Sequence, residues 1–119
     1  MRRWLALLLY PLASAALAGV WVHEQTLAPG VAGEPEGNDL FGSRIALDGD
    51  VLVVGAFSDE IELVPGQGQA GNVGSVYVFR RNGNTWQFEQ RLIAPDAEAN
   101  GWFGFDVAAS AGRIVVGAP

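Results

Sequence analysis

Beyond residue 20 the chain alternates short apolar runs with turns rich in Gly, Asp and Asn. Arg44 to Leu47 and Asp50 to Ala56 are two such runs, joined by Asp48-Gly49. Asp-Gly between apolar runs is a strong hairpin signal, because the central positions of a tight turn favour residues that tolerate positive φ. Ser75 to Arg80 predicts a third strand and Thr85 to Leu92 a fourth, with Arg81-Asn82-Gly83-Asn84 turning between them. In the third strand Val76, Val78 and Arg80 fall on one face and Tyr77 and Phe79 on the other, so bulky side chains occupy both. Val51-Leu52-Val53-Val54 is apolar throughout, the pattern of an inner strand buried on both sides. The four strands make one up-and-down antiparallel sheet. No stretch beyond residue 20 keeps a helical period, which argues against a helix-rich enzyme core.

The pattern then repeats. Phe41-Gly42 returns as Phe103-Gly104, and Val53-Val54-Gly55-Ala56-Phe57 returns as Val115-Val116-Gly117-Ala118-Pro119, both 62 residues later. Phe103 to Ala109 is expected to repeat the first strand and Arg113 to Val116 the second, with Ser110-Ala111-Gly112 in place of the Asp-Gly turn. An echo at this spacing marks one supersecondary unit stacked against copies of itself. It also runs backwards: Glu89 to Pro95 matches Glu24 to Pro29, and Trp86 lies 65 residues after Trp21. Residues 19–29 therefore read as the last strand of a unit, 41–92 as a complete unit, and 103–119 as the first half of the next.

The first residues tell a different story. Arg2 and Arg3 precede an apolar run from Trp4 to Leu12, and small residues follow to Ala18. This is the layout of a secretory signal peptide, residues 1–18, with cleavage expected between Ala18 and Gly19. A membrane anchor fits less well. Only 15 residues separate Arg3 from Gly19, short of the roughly 20 that a spanning helix needs, and Pro11 interrupts them. No transmembrane segment is expected after leader removal, and the product would be secreted, periplasmic or held at the cell surface.

Without the leader, five arginines face thirteen acidic residues, a net charge of about −8. A chain so acidic, with no lysine, has little means of neutralising phosphates, so nucleic acid is not an expected partner. The absence of cysteine removes disulfides and thiol nucleophiles, and leaves stability to the core or to neighbours.

Phe-Gly, then a strand, then Gly-Ala-Pro resembles the FG-GAP repeat of the β-propeller in integrin α subunits and in many bacterial exported proteins. The signature residues are Phe41, Gly42, Gly55, Ala56 and Phe57 in one unit, and Phe103, Gly104, Gly117, Ala118 and Pro119 in the next. Phe57 stands where the family has proline. The resemblance implies an all-β fold of four-stranded antiparallel blades around an axis, incomplete in this chain, with residues 19–29 completing the last blade of a closed ring. One and a half blades leave sheet faces and edges open, so the chain is expected to be part of something larger.

The resemblance also implies what to look for in the way of metal. Calcium-binding members carry a loop of alternating aspartates and a glycine between the two motifs. Here only Leu47-Asp48-Gly49-Asp50 lies there. Ca²⁺ takes six to eight oxygen ligands, more than Asp48 and Asp50 on a tight turn supply, and Ser110-Ala111-Gly112 has no acid. Asp59, Glu60 and Glu62, in the loop from Ser58 to Asn72, are further weak candidates, with a solvated insertion as the plain reading. No cofactor is therefore expected, calcium being the one considered. His23 is the only histidine and forms no triad or zinc site. No serine lies in a Gly-x-Ser-x-Gly elbow. Trp86, Phe88, Trp102, Phe103 and Phe105 could form a binding platform, but aromatics recurring in a propeller pack one blade on the next.

The expectation is a non-enzymatic exported propeller segment for protein interaction or surface adhesion, its partner a protein or further blades. A calcium-stabilised module and an accessory region of a larger exported hydrolase are the alternatives.

Overall fold

A computed structural model describes residues 6–11, 21–29 and 39–119; the expected cleavage point at Ala18 lies outside them. The fold is all-β. A central antiparallel sheet has the order β3-β4-β5-β6, with β3 at Arg44–Asp48, β4 at Val51–Ala56, β5 at Ser75–Asn82 and β6 at Thr85–Leu92. Two-stranded sheets lie on either side. One pairs β1 (Ala6–Pro11) with β2 (Trp21–Leu27), and the other pairs β7 (Asp106–Ser110) with β8 (Arg113–Gly117). The blade is not closed into a ring. Among the described residues no helix is long and apolar enough to cross a membrane.

The core is the two middle strands of the central sheet. Leu52, Val53, Val54, Val76 and Tyr77 are at most 1% exposed, so both faces of β4 and β5 are covered, as their two-sided apolar pattern requires. Leu8 and Leu27 of the β1-β2 sheet join Phe41, Leu52, Val54, Tyr77, Phe79 and Trp86 in one cluster on what we call the front face. On the rear face, with Val53, Gly55 and Val76, β7 packs against β3 and β4. Three layers thus enclose two apolar interfaces.

Two sequence expectations shift by a few residues. Asp48 pairs with Val51, so the hairpin turns on Gly49-Asp50 and not on Asp48-Gly49. Gly49 alone of the two has positive φ, at 57°, the pattern of a turn with glycine at its first central position. The first strand of the second unit begins at Asp106 and not at Phe103, because Trp102-Phe103-Gly104 forms a turn that docks on the central blade. Residues 6–11, read from sequence as part of a leader, form strand β1.

Candidate interaction surface

The Phe-Gly and Gly-Ala motifs are one structural device in each unit. The Gly42 N–H donates to the Gly55 carbonyl at 3.1 Å, and 62 residues on the Gly104 N–H donates to the Gly117 carbonyl at 3.1 Å. Ahead of each glycine the chain turns sharply. Ser43 N–H reaches the Leu40 carbonyl at 3.0 Å and Phe105 N–H the Trp102 carbonyl at 3.1 Å. Leu40 and Trp102 have φ of 57° and 54°, and Gly42 and Gly104 have 89° and 93°. A bulky residue at positive φ is costly, and its recurrence at equivalent places marks it as part of the device.

The second copy of this device builds the junction between units. Asn100, Trp102 and Phe103 donate backbone N–H groups to the carbonyls of Gly71, Asn72 and Val73 at 2.9 to 3.0 Å, and Asn72 Nδ2 donates to Asn100 Oδ1 at 3.1 Å. Backbones meet so closely that side chains are excluded. A Cβ on Gly55 would strike the Gly104 carbonyl, one on Gly74 would strike the Phe103 backbone, and one on Gly104 would lie 2.6 Å from the Ser75 carbonyl. Phe57 meets Phe105 edge to face at 5.2 Å, and the Arg44 guanidinium sits 5.8 Å from the centre of the Phe105 ring. The departure from proline at position 57 therefore supplies a contact between the units. Ala56 is buried, whereas Ala118 and Pro119 are exposed.

The acidic residues weighed as cation ligands separate in space. Asp48 Oδ2 accepts the Ala111 N–H at 2.9 Å, so this side chain caps the turn of the next unit. Asp50 contributes its carbonyl, to Arg81 N–H at 2.8 Å, and its side chain is exposed. Glu62 Oε1 accepts the Gly66 N–H at 2.8 Å, and Glu60 is exposed. Asp59 departs from the expected solvated insertion: it is fully buried. Its Oδ2 accepts from Ser75 Oγ, from Tyr77 OH at 3.0 Å and from Arg91 Nη2 at 2.7 Å. A buried carboxylate persists when paired and hydrogen-bonded, and this cluster pins the loop after β4 to β5 and β6. Burial, followed by the smaller effect of the nearby Asp59 charge, pushes the Tyr77 hydroxyl well above its ordinary pKa of 10.0. Among the described residues no group of three or more His, Cys, Asp or Glu side chains is placed to hold a metal ion. His23 donates or accepts with Thr26 Oγ1 at 2.8 Å.

What the geometry offers is sheet surface. Val53 and Val115 occupy the same place in the two units. Val53, covered by the second unit, is 0% exposed, whereas Val115 is 67% exposed. Along β7, and along β8 as far as Val116, burial alternates: Val107, Ala109, Ile114 and Val116 are half-buried, while Ala108 and Val115 are open. A depression of about 410 Å³ lies over this open face, bordered by Ala108, Ser110, Arg113 and Val115. At the other end Ile45 and Leu47, equivalent to Val107 and Ala109, are 56% and 57% exposed on the front face. Trp21 is 61% exposed where its counterpart Trp86 is buried, with Gln25 bonding both backbone groups of Trp86 at 2.8 to 2.9 Å.

A four-stranded blade-like sheet, stacked on a two-stranded repeat of its first half through a glycine-lined backbone contact, is consistent with part of a β-propeller. The FG-GAP repeat family matches residues 21–79 and 86–119, and the chain belongs to that family. Neither the curated proteins nor the solved structures provide a match. The family's repeat is a scaffold unit and the segment is non-catalytic.

Gly74 and Gln25 were not legible as site residues, and Asp59 was weighed only as a cation ligand. Gly74 lies outside both echoed motifs. Asp59, Ser75, Tyr77 and Arg91 converge only through the pairing register of three elements. Gln25 carries no motif beyond its place in the backward match.

Proposed function

We propose that this chain is a protein-interaction segment that works outside the cytoplasm, where its open sheet faces hold other proteins and so mediate adhesion at a cell surface. The observation that carries the reading is the contrast of Val53 with Val115: one repeat position, 0% exposed where the next unit covers it and 67% exposed where no described residue does. An open apolar face on a rigid sheet is a contact surface. The leader-like residues 1–18 support export, and the acidic surface suits contact with proteins better than with phosphate backbones.

The test displays the chain on cells and scores adherence to one another and to protein-coated surfaces. With Ala108→Asp and Val115→Asp together, adherence is expected to fall at least tenfold while circular dichroism stays that of a β protein. Equal adherence by the variant would sink the reading. Residues 1–18 fused to a reporter are expected to carry it out of the cytoplasm, and a reporter retained inside would remove the extracellular part of the proposal.

A further inference from the structure

Of the five asparagines in the chain, only Asn82 and Asn100 precede a glycine. In such a step the backbone nitrogen of the glycine can attack the side-chain amide carbon of the asparagine. Glycine has no Cβ to block the approach and lets the chain take the conformation that the attack needs, and asparagine is thermolabile in proteins. The two steps share one sequence and have opposite surroundings.

Asn100-Gly101 is held from every side. The Gly101 N–H donates to the Glu98 carbonyl at 3.1 Å, and the Asn100 N–H to the Gly71 carbonyl at 2.9 Å. The Asn100 side chain is fixed as well, its Oδ1 accepting from Asn72 Nδ2 at 3.1 Å. A Cβ on Gly101 would lie 3.0 Å from the Glu98 carbonyl oxygen and 3.6 Å from that of Val73, so this nitrogen has a partner and little room to move.

Asn82-Gly83 is open. Asn82 ends β5 and pairs with Thr85, which leaves Gly83 and Asn84 as the corner of the hairpin. Asn82, Gly83 and Asn84 are all exposed, and a Cβ on Gly83 would meet nothing within 4 Å. Among the described residues no backbone carbonyl takes the Gly83 N–H. The Asn82 side-chain amide has a long contact with Gln87 Oε1, at 3.5 Å, too long to hold it firmly.

We propose that Asn82 is a site of spontaneous backbone modification, converted in the folded protein through a cyclic imide to aspartate and isoaspartate, while Asn100 is protected by the junction it helps to build. The Gly83 nitrogen bonds to Cγ of Asn82. The bond from Cγ to the side-chain nitrogen breaks, and that nitrogen leaves as ammonia with the proton of the Gly83 N–H. Water then opens the imide. Attack at Cγ yields aspartate, and attack at the main-chain carbonyl yields isoaspartate, in which the backbone runs through the former side chain. Nothing is oxidised or reduced.

Either product sets a new carboxylate next to Arg81 in the chain. Arg81 Nε donates to the Gly83 carbonyl at 3.0 Å, and its guanidinium lies 5.9 Å from the centre of the Trp86 ring. Isoaspartate also inserts a main-chain atom between the paired residues Asn82 and Thr85, where Thr85 Oγ1 donates to the Asn82 carbonyl at 3.1 Å. The corner then loosens from its tip, and an acidic chain gains a further negative charge.

The full-length chain is incubated in mildly alkaline buffer, which favours attack by the amide nitrogen. Conversion at each asparagine is followed by peptide mass spectrometry, and isoaspartate is scored by methyl transfer from S-adenosylmethionine with an isoaspartyl methyltransferase. In the folded chain Asn82 is expected to convert at least tenfold faster than Asn100, with isoaspartate as the larger product. In urea the two are expected to convert at similar rates, because only the fold distinguishes them. Asn82→Gln, whose longer side chain closes the ring far more slowly, is expected to abolish the methyl-acceptor signal, and Asn100→Gln to leave it. Equal conversion in the folded chain, faster conversion at Asn100, or a gap that persists in urea would overturn the proposal.

Discussion

The two units of this chain share a motif, a turn and a backbone hydrogen bond, yet one is a core and the other a surface. β4 is buried from Leu52 to Ala56, whereas β8, with nearly the same sequence, has no fully buried residue. Ile-Val-Val-Gly and Leu-Val-Val-Gly differ by one methyl position, so composition does not cause the difference. Neighbours do. β4 has strands on both edges and sheets on both faces; among the described residues β8 has one of each. In a stacked repeat, stability is a sum of what each unit contributes and what its interfaces add, and here the interface term separates the two.

That contrast can be attacked position by position. The largest effect is expected at Asp59, whose cluster belongs to the covered blade. Asp59→Ala strands Arg91 and removes three hydrogen-bond partnerships, and breaking a buried pair costs about 3–5 kcal/mol. Urea denaturation is expected to show a chain unfolded or nearly so without denaturant. Next come the glycines. Gly55→Ala drives a methyl into the Gly104 carbonyl, whereas at Gly117 the nearest atom to a new Cβ is the Asp106 Cβ at 3.4 Å. Overpacking costs about 1–3 kcal/mol or more, so Gly55→Ala should destabilise by at least 2 kcal/mol, on the order of that range, and Gly117→Ala by little. Thermal melts of the two variants would read the difference directly.

Val53→Ala and Val115→Ala make the same chemical change at equivalent places. The buried one is expected to cost about 1.5–3 kcal/mol and the exposed one within about 0.5 kcal/mol, by the same denaturation. pH acts on the covered blade as well. The raised pKa of Tyr77 in the folded state means its neutral form is favoured there, so its contribution is full below the unfolded value near 10 and is lost as pH rises beyond it. Stability is expected to decline above about pH 10, and ultraviolet titration should show Tyr77 still neutral at the pH where a free tyrosine ionises. A local effect lies in the second turn. Ala111 has φ of 50° where the first unit has Gly49 at 57°, and a non-glycine there costs about 1–2 kcal/mol. Ala111→Gly is expected to raise the stability of β7-β8, seen as slower amide exchange across Val107 and Val116.

Strand positions were legible because apolar runs and turn residues are local signals. The 62-residue echo paired Gly42 with Gly104 and Gly55 with Gly117, and the same backbone hydrogen bond recurs at both places. What could not be read is what depends on depth. Asp59 sits in a run with Glu60 and Glu62 and looks like them in sequence, but only Asp59 is turned inward to Ser75, Tyr77 and Arg91. Asp48 reads as a turn residue, and its use as a cap for Ala111, 63 residues away, exists only once the units are stacked. Exposure of Ile45, Leu47 and Val115 is likewise set by the neighbour that each unit has, and not by the residues themselves.

The most direct measurement is hydrogen exchange of the backbone amides in the two equivalent strands, Val51–Ala56 and Arg113–Gly117, in dilute full-length chain. If burial by a neighbouring unit separates the two, β4 amides exchange only through the largest opening of the protein, and β8 amides exchange at least a hundredfold faster. Equal protection of the two strands in dilute solution would contradict the account, since it would show that each unit holds its own structure without a neighbour.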